Sequence, residues 1–312
     1  MGQPPLNRQT LDLSLWDNLE PAARHLPDAV EHHEGFWSTT DGQQIFWQSW
    51  ETTVTSPRGT VALIHGYHEH SARFHHVASA LALVGYHVIA IDLRGHGRST
   101  GRRGYVQQFA RYADDLSLLK RRALDRFGDG PLFFLGHSNG GLVTLRYALR
   151  KPANITGFIL SNPLIELAAD VSAIKQGLGR LTGKWVPTLS LPSGVDSAHL
   201  SHLNSVVRDY DEDPLVFGEA NARWFLEMER ASADLKARAA DLDQAFLFVL
   251  GGDDRIVDAG ATEAFFHTLG SMDRELEVYP DLFHELLNER RWTTVLSHIV
   301  IWMERHRTWA GQ

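Results

Sequence analysis

Four short runs along the chain are apolar almost without a break: Val61–Ile64, Val88–Ile91, Leu132–Leu135 and Ala245–Leu250. A strand covered by helices on both faces has no polar side, so such runs predict strands of a parallel sheet. Thr156–Leu160 reads as a further strand, and Arg274–Tyr279, which alternates polar and apolar residues, as a half-buried one. Between the strands apolar residues recur at helical spacing. Val77, Leu81 and Val84 do so before Gly85; Phe109, Tyr112, Leu116, Leu119 and Ala123 before Gly128; Trp292, Val295, Ile299 and Trp302 near the C-terminus. These stripes read as core faces rather than ligand sites. Phe36–Trp37 and Ile45–Trp50 bracket the turn Thr40-Asp41-Gly42 and predict a β-hairpin. Alternating strands and helices predict an α/β fold, a mainly parallel sheet with helices on both faces.

Two stretches break the alternation. Residues 1–33 form a polar leader whose Leu11, Leu13, Leu15 and Trp16 are candidates to pack on the body. Residues 164–244 are far too many, at roughly 80, for a single crossover connection. They are read as an inserted cap between two halves of one core, 34–163 and 245–312. Within the cap, Val171 to Leu191 are rich in apolar residues among glycines and prolines. Leu178, Leu181 and Trp185 are the candidates there for a binding tunnel or a membrane-touching rim, against plain packing of the cap on the core, and Lys175, Arg180 and Lys184 for contact with anionic groups, against simple solvation.

The chemistry centres on Gly136-His137-Ser138-Asn139-Gly140, a Gly-x-Ser-x-Gly pentapeptide with an apolar strand before it and a helical pattern after it. That setting is a nucleophile elbow, in which small flanking residues permit a turn that lifts the serine hydroxyl above the sheet edge. Serine at neutral pH needs a base, and the base an orienting acid. In this kind of fold they follow in the order acid, then histidine, each after a late strand. Asp254, in Gly251-Gly252-Asp253-Asp254-Arg255-Ile256-Val257, is the preferred acid and Asp253 the alternative. His284 follows the last strand and is singled out among 17 histidines by its place in that order. In α/β-hydrolases the loop after an early strand and the residue after the nucleophile donate backbone N–H groups to the oxyanion, which here assigns Tyr67 and Asn139. The cluster His65-Gly66-Tyr67-His68-Glu69-His70 invites a metal reading, but no second cluster completes three or four ligands. These residues are read as lining the site mouth or bracing its loop; no metal and no cofactor is expected.

His65-Gly66-x-x-Glu69-His70-Ser71-x-Arg73-Phe74, Asp92-Leu93-Arg94-Gly95-His96-Gly97-Arg98-Ser99, the elbow, Asp213-Pro214-Leu215 and the Asp254-Arg255 and Phe283-His284 pairs together resemble the monoacylglycerol lipase and lysophospholipase branch of the α/β-hydrolases. The resemblance spans about residues 34–306. It implies an eight-stranded sheet, a Ser138–His284–Asp254 triad and a carboxylester hydrolase acting on a monoacyl lipid. Two positions depart from the branch: Tyr67 stands where the lipases carry a small residue, and Asn139 where Met is commoner. Both positions work through the backbone, so the chemistry is kept, while the Tyr67 ring is placed to narrow or redirect the acyl pocket. Asp92 and Arg98 are expected to brace their glycine-rich turn.

Composition narrows the reading further. A chain of 312 residues with 43% hydrophobic content suits one α/β core with an insertion. A formal net charge of −8 argues against nucleic acid as a partner. With no cysteine there is no thiol chemistry or disulfide framework. Neither a secretory signal nor a membrane-spanning run is seen, so the expectation is a cytoplasmic protein, peripheral at most to a membrane that the cap touches transiently. The expected partner is a small acyl ester or lipid. A short-chain carboxylesterase, an amidase or peptidase of the same fold, and a catalytically silent binding homologue are the alternatives.

Overall fold

A computed structural model of the chain describes residues 12–23, 25–168 and 188–307. The hairpin consists of β1 (Val30–Ser38) and β2 (Gln44–Thr52), paired antiparallel from Val30↔Thr52 to Ser38↔Gln44. Then β3 (Gly59–Ile64), helix α1 (His75–Leu83), β4 (Tyr86–Ile91), α2 (Ala110–Phe127), β5 (Leu132–His137), α3 (Asn139–Ala148) and β6 (Gly157–Ser161) alternate as the pattern predicts. The insertion holds β7 (Ser190–Pro192), α4 (Asn204–Glu212), β8 (Glu219–Asn221) and α5 (Ala222–Ala237). The core resumes with β9 (Phe246–Gly251), α6 (Ala259–His267), β10 (Arg274–Tyr279) and α7 (Trp292–Arg307). Eight strands join one sheet in the order β1-β2-β4-β3-β5-β6-β9-β10, parallel from β4 to β10. β7 and β8 form a separate antiparallel pair.

Side chains alternate across this sheet into two cores, because successive residues of a strand point to opposite faces. Val61 and Leu63 of β3, and Phe133 and Leu135 of β5, pack with α1 and α7. Ala62 and Ile64, with Leu132 and Phe134, pack with α2, α3, α5 and α6. Both neighbours are apolar, so the middles of these strands hold no polar residue, and Thr60 and His137 lie toward their ends. The edge strand β10 is less covered than its alternation predicts: Val278 is exposed, and only Tyr279 is buried.

β1 opens at Val30, so the strand crosses the leader boundary drawn at residue 33. Within the leader Trp16 is buried, donates its Nε1–H to the Ala80 carbonyl at 2.9 Å and stacks on Trp292. Leu13 packs beside it and Leu15 is exposed, whereas Leu11 lies outside the described residues. Leu178, Leu181, Trp185, Lys175, Arg180 and Lys184 also lie outside them. Asp92 holds its turn as expected, its carboxylate accepting from Ser71 N and Oγ and from Arg98 N. The Arg98 side chain reaches instead to Glu34, 2.7 Å away.

Candidate active site

The elbow between β5 and α3 forces Ser138 to φ 52°, ψ −120°, a backbone region costly for any residue with a Cβ. Its flanks must be small. A Cβ on Gly136 would lie 2.5 Å from Thr144 Oγ1, and one on Gly140 would overlap the carbonyls of Ile64 and His65. The reward of this turn is positional. Ser138 Oγ lies 2.9 Å from His284 Nε2, and His284 Nδ1 lies 2.7 Å from Asp254 Oδ2. A carboxylate only accepts, so Nδ1 carries the proton and Nε2 is left to accept from the serine hydroxyl.

Asp254 is fixed by its own turn, Oδ1 accepting from Ile256 N at 2.8 Å and Val257 N at 3.0 Å. Asp253 points elsewhere: it is exposed and pairs with Arg255. Burial alone would lower the pKa of His284. The charge and hydrogen bond of Asp254, with the nearby Glu285 and Glu69, outweigh it and raise the pKa above the ordinary 6.5. His137 is the opposite case, pushed down to about 3 chiefly by burial, and its neutral ring hydrogen-bonds the Ser161 carbonyl.

The loop carrying His284 is held from below by Asn162, at φ 42° just past β6. Its Nδ2 donates to the His284 carbonyl at 2.7 Å while Oδ1 accepts from Gly251 N at 2.8 Å. On the other side of the serine, Glu69 Oε1 accepts the Gly66 N–H at 2.6 Å, which fixes the backbone just before Tyr67. Among the described residues, neither Tyr67 N–H nor Asn139 N–H donates to a protein acceptor, as a pair of oxyanion donors requires. The Asn139 side chain makes no bond within the elbow: its buried amide has no hydrogen-bond partner among the described residues.

Beneath the site lies a buried carboxylate–guanidinium–carboxylate cluster that the sequence reading missed. Arg73 makes a two-pronged pair with Glu285 at 2.6 and 2.9 Å and a third bond to Glu69 at 3.1 Å. It ties the loop bearing Tyr67 to the loop bearing His284. With one cation between two carboxylates, burial and the Glu285 charge push Glu69 up to about 8, while Arg73 holds Glu285 below its usual range despite burial. The i, i+4 spacing of Glu69 and Arg73 was a legible signal; the remote Glu285 was not.

The histidines of the His65–His70 stretch are committed within the protein. His65, pushed down to about 3 mainly by burial, donates from Nδ1 to the Gly66 carbonyl and accepts Leu93 N–H. His70 pairs with Asp213 of the insertion at 3.0 Å, both buried. Among the described residues no group of three or more His, Cys, Asp or Glu is placed to hold a metal ion.

Above Ser138 opens a cleft with mostly apolar walls, continuous with solvent. Ile256 lines it from the core, and Leu164, Leu167, Leu191, Val195, Leu200, Trp224 and Phe225 from the insertion. Trp224 and Phe225 were legible as the start of an apolar helical stripe running through Met228, Ala231 and Leu235, although not as pocket walls.

A serine, an imidazole and a carboxylate gathered at the carboxyl ends of strands in an eight-stranded, mainly parallel sheet make this an α/β-hydrolase. The chain belongs to the monoacylglycerol lipase branch of that superfamily, and the family model described as serine aminopeptidase, S33, matches residues 55–291. It is 33% identical over 266 residues to a monoacylglycerol lipase of Mycolicibacterium smegmatis, covering 85% of this chain and 94% of that one. It is 28% identical to the phospholipase YtpA of Bacillus subtilis, covering 77% and 93%. Among solved structures, a soluble variant of the monoglyceride lipase of Saccharomyces cerevisiae in complex with a substrate analog superposes with a TM-score of 0.82, at 25% identity, over 92% of this chain and 98% of that one.

Proposed function

We propose that this protein is a serine carboxylester hydrolase that cleaves monoacyl lipids through an acyl-enzyme. Ser138 Oγ attacks the ester carbonyl as its proton passes to His284 Nε2. The oxyanion accepts from Tyr67 N–H and Asn139 N–H, and each such donor is worth about 3 kcal/mol in the transition state. His284 then protonates the departing alcohol, and a water deprotonated by the same nitrogen releases the fatty acid. Asp254 holds the imidazole in the required tautomer and balances its charge. No cofactor enters any step.

The observation that carries the reading is the Ser138–His284–Asp254 hydrogen-bonded chain opening into an apolar cleft. The apolar walls of the cleft suit an acyl chain, and relatives named monoacylglycerol lipase, monoglyceride lipase and phospholipase support a glycerol or phosphoester head group. In this reading residues 1–33 are a leader, 34–163 and 245–312 the hydrolase core, and 164–244 a cap. Among the described residues no helix is long and apolar enough to cross a membrane. In this reading the enzyme is cytoplasmic and meets its substrate at membrane surfaces through transient contacts of the cap.

The test is fluorophosphonate labelling of wild type and Ser138→Ala, with a hydrolysis panel of monoacylglycerols, lysophosphatidylcholine, p-nitrophenyl esters and aminoacyl anilides. Labelling confined to Ser138 and a preference for long monoacyl esters are expected. The family description favours amides as the second reading, and turnover of anilides above esters would establish it in place of the first. An unlabelled Ser138 would leave a ligand-binding homologue.

A further inference from the structure

We infer that the Tyr67 side chain is a positioning residue that couples the seating of the insertion to the oxyanion donor on the same residue's backbone. The inference rests on the functional reading above. Three segments meet at the phenol: the loop after β3, the turn at Gly104, and the N-terminus of α5. Tyr67 Oη donates to the Gly104 carbonyl at 2.7 Å and accepts the Asn221 N–H at 3.2 Å. Its ring stacks on Trp224 with centroids 3.6 Å apart and planes 18° apart, and meets Phe217 edge-on.

Each partner is itself fixed. Asn221 caps α5, its Oδ1 accepting from Arg223 N and Trp224 N. Gly104 sits at φ 63°, and a Cβ there would overlap the phenol oxygen and crowd Phe217 to 2.9 Å, so this turn is shaped around the tyrosine. The backbone side is equally constrained, since Glu69 holds the preceding Gly66 N–H. Position 67 is therefore pinned through its backbone to the core and through its ring to the insertion. Trp224 also lines the cleft, so an acyl chain pressing on that wall bears on Tyr67. The consequence is that the oxyanion N–H is correctly aimed only while α5 is seated. Core chemistry is then sensitive to the insertion even for substrates too short to touch it.

Tyr67→Phe removes the hydroxyl and keeps the ring; Gly104→Ala disturbs the same joint without altering residue 67. Hydrogen–deuterium exchange over 219–225 reads the tether. Hydrolysis of p-nitrophenyl butyrate, normalised to fluorophosphonate-titrated sites, reads the coupling. In both variants exchange should quicken about two- to ten-fold, as expected for loss of one buried hydrogen bond. The kcat per titrated site should fall roughly three- to ten-fold with KM unchanged, because the lost alignment is felt in the transition state. Unchanged exchange would overturn the tether, and faster exchange with unchanged kcat per site would overturn the coupling. A fall in activity matched by a fall in titratable sites would reduce Tyr67 to a packing residue. Should wild type leave Ser138 unlabelled and hydrolyse no ester, the functional reading and the coupling fall together, while exchange still decides the tether.

Discussion

Asp254→Asn is the most discriminating single change, because the structure fixes what each new atom must do. Asp254 Oδ1 accepts two backbone N–H groups, from Ile256 and Val257, and those donors require an acceptor. The asparagine carbonyl therefore takes the Oδ1 place, and its NH₂ replaces Oδ2 at 2.7 Å from His284 Nδ1. An NH₂ donates, so Nδ1 loses its proton and Nε2 must carry one. Nε2 then faces Ser138 Oγ as a donor, and the serine has no base. Inversion of this tautomer costs about four orders of magnitude in kcat in serine proteases, or roughly 5 kcal/mol. The residue keeps its shape and its two backbone bonds, so folding should be nearly unaffected. The pH profile gives a second reading. His284 works when neutral, so kcat/KM of wild type should fall as pH drops through an ionisation above 6.5, the direction in which Asp254 moves it. Without that charge the ionisation of the residual activity should move to lower pH. Burst-titrated kcat with a p-nitrophenyl ester, from pH 5 to 9, measures both. A loss under about ten-fold, or a larger loss in Asp253→Asn, would refute the tautomer argument and move the acid to Asp253.

Arg73→Met should leave Glu69 and Glu285 buried without their cation, at a cost of about 3–5 kcal/mol. Thermal unfolding should show a drop of roughly 6–15 °C at pH 8 and a smaller one at pH 5. Acid neutralises the two carboxylates and removes the need for a partner, so equal losses at both pH values would contradict the account. Phe225→Asp, in the cleft wall from α5, should lower kcat/KM for long-chain monoacyl esters progressively with chain length, by up to about 0.8 kcal/mol for each methylene no longer buried. Any loss on butyrate esters, through disturbed seating of α5, should be smaller than the loss on long chains; a loss identical at every chain length would remove Phe225 from the acyl-binding wall.

The strands and the elbow were legible because their physical demands are local. A strand buried on both faces must be apolar throughout, and Ser138 at positive φ needs glycines two residues to either side. The ordering of late strands located Asp254 and His284 but did not separate Asp254 from Asp253. That choice is made by a turn in which one carboxylate captures Ile256 N and Val257 N while its neighbour faces Arg255 in solvent. The insertion was readable as an interruption and, through the apolar stripe of α5, as one helix, but its other elements were not. Its strands are three residues long, and α4 buries only Val206, so neither pattern stands out. Tyr67 was noticed for its bulk beside the pocket. Its bond to Gly104 and its stack on Trp224 depend on segments far off in sequence, and no local signal announces them.

Trp16 carries a consequence for how the chain is made. Its indole can dock early, since α1 with Ala80 leaves the ribosome soon after it. Its other ring contact, Trp292, opens the last helix, nearly the whole chain later. At typical elongation rates of about 5–20 residues per second, that helix emerges on the order of 15–60 s after Trp16. From the emergence of each strand until then, the sheet face later covered by α7, including Phe133, Leu135 and Ile159, is open to water and to other nascent chains. Chaperone demand should therefore be greatest late in synthesis. Docking of α7, rather than formation of the hairpin or the elbow, is the event that covers this face.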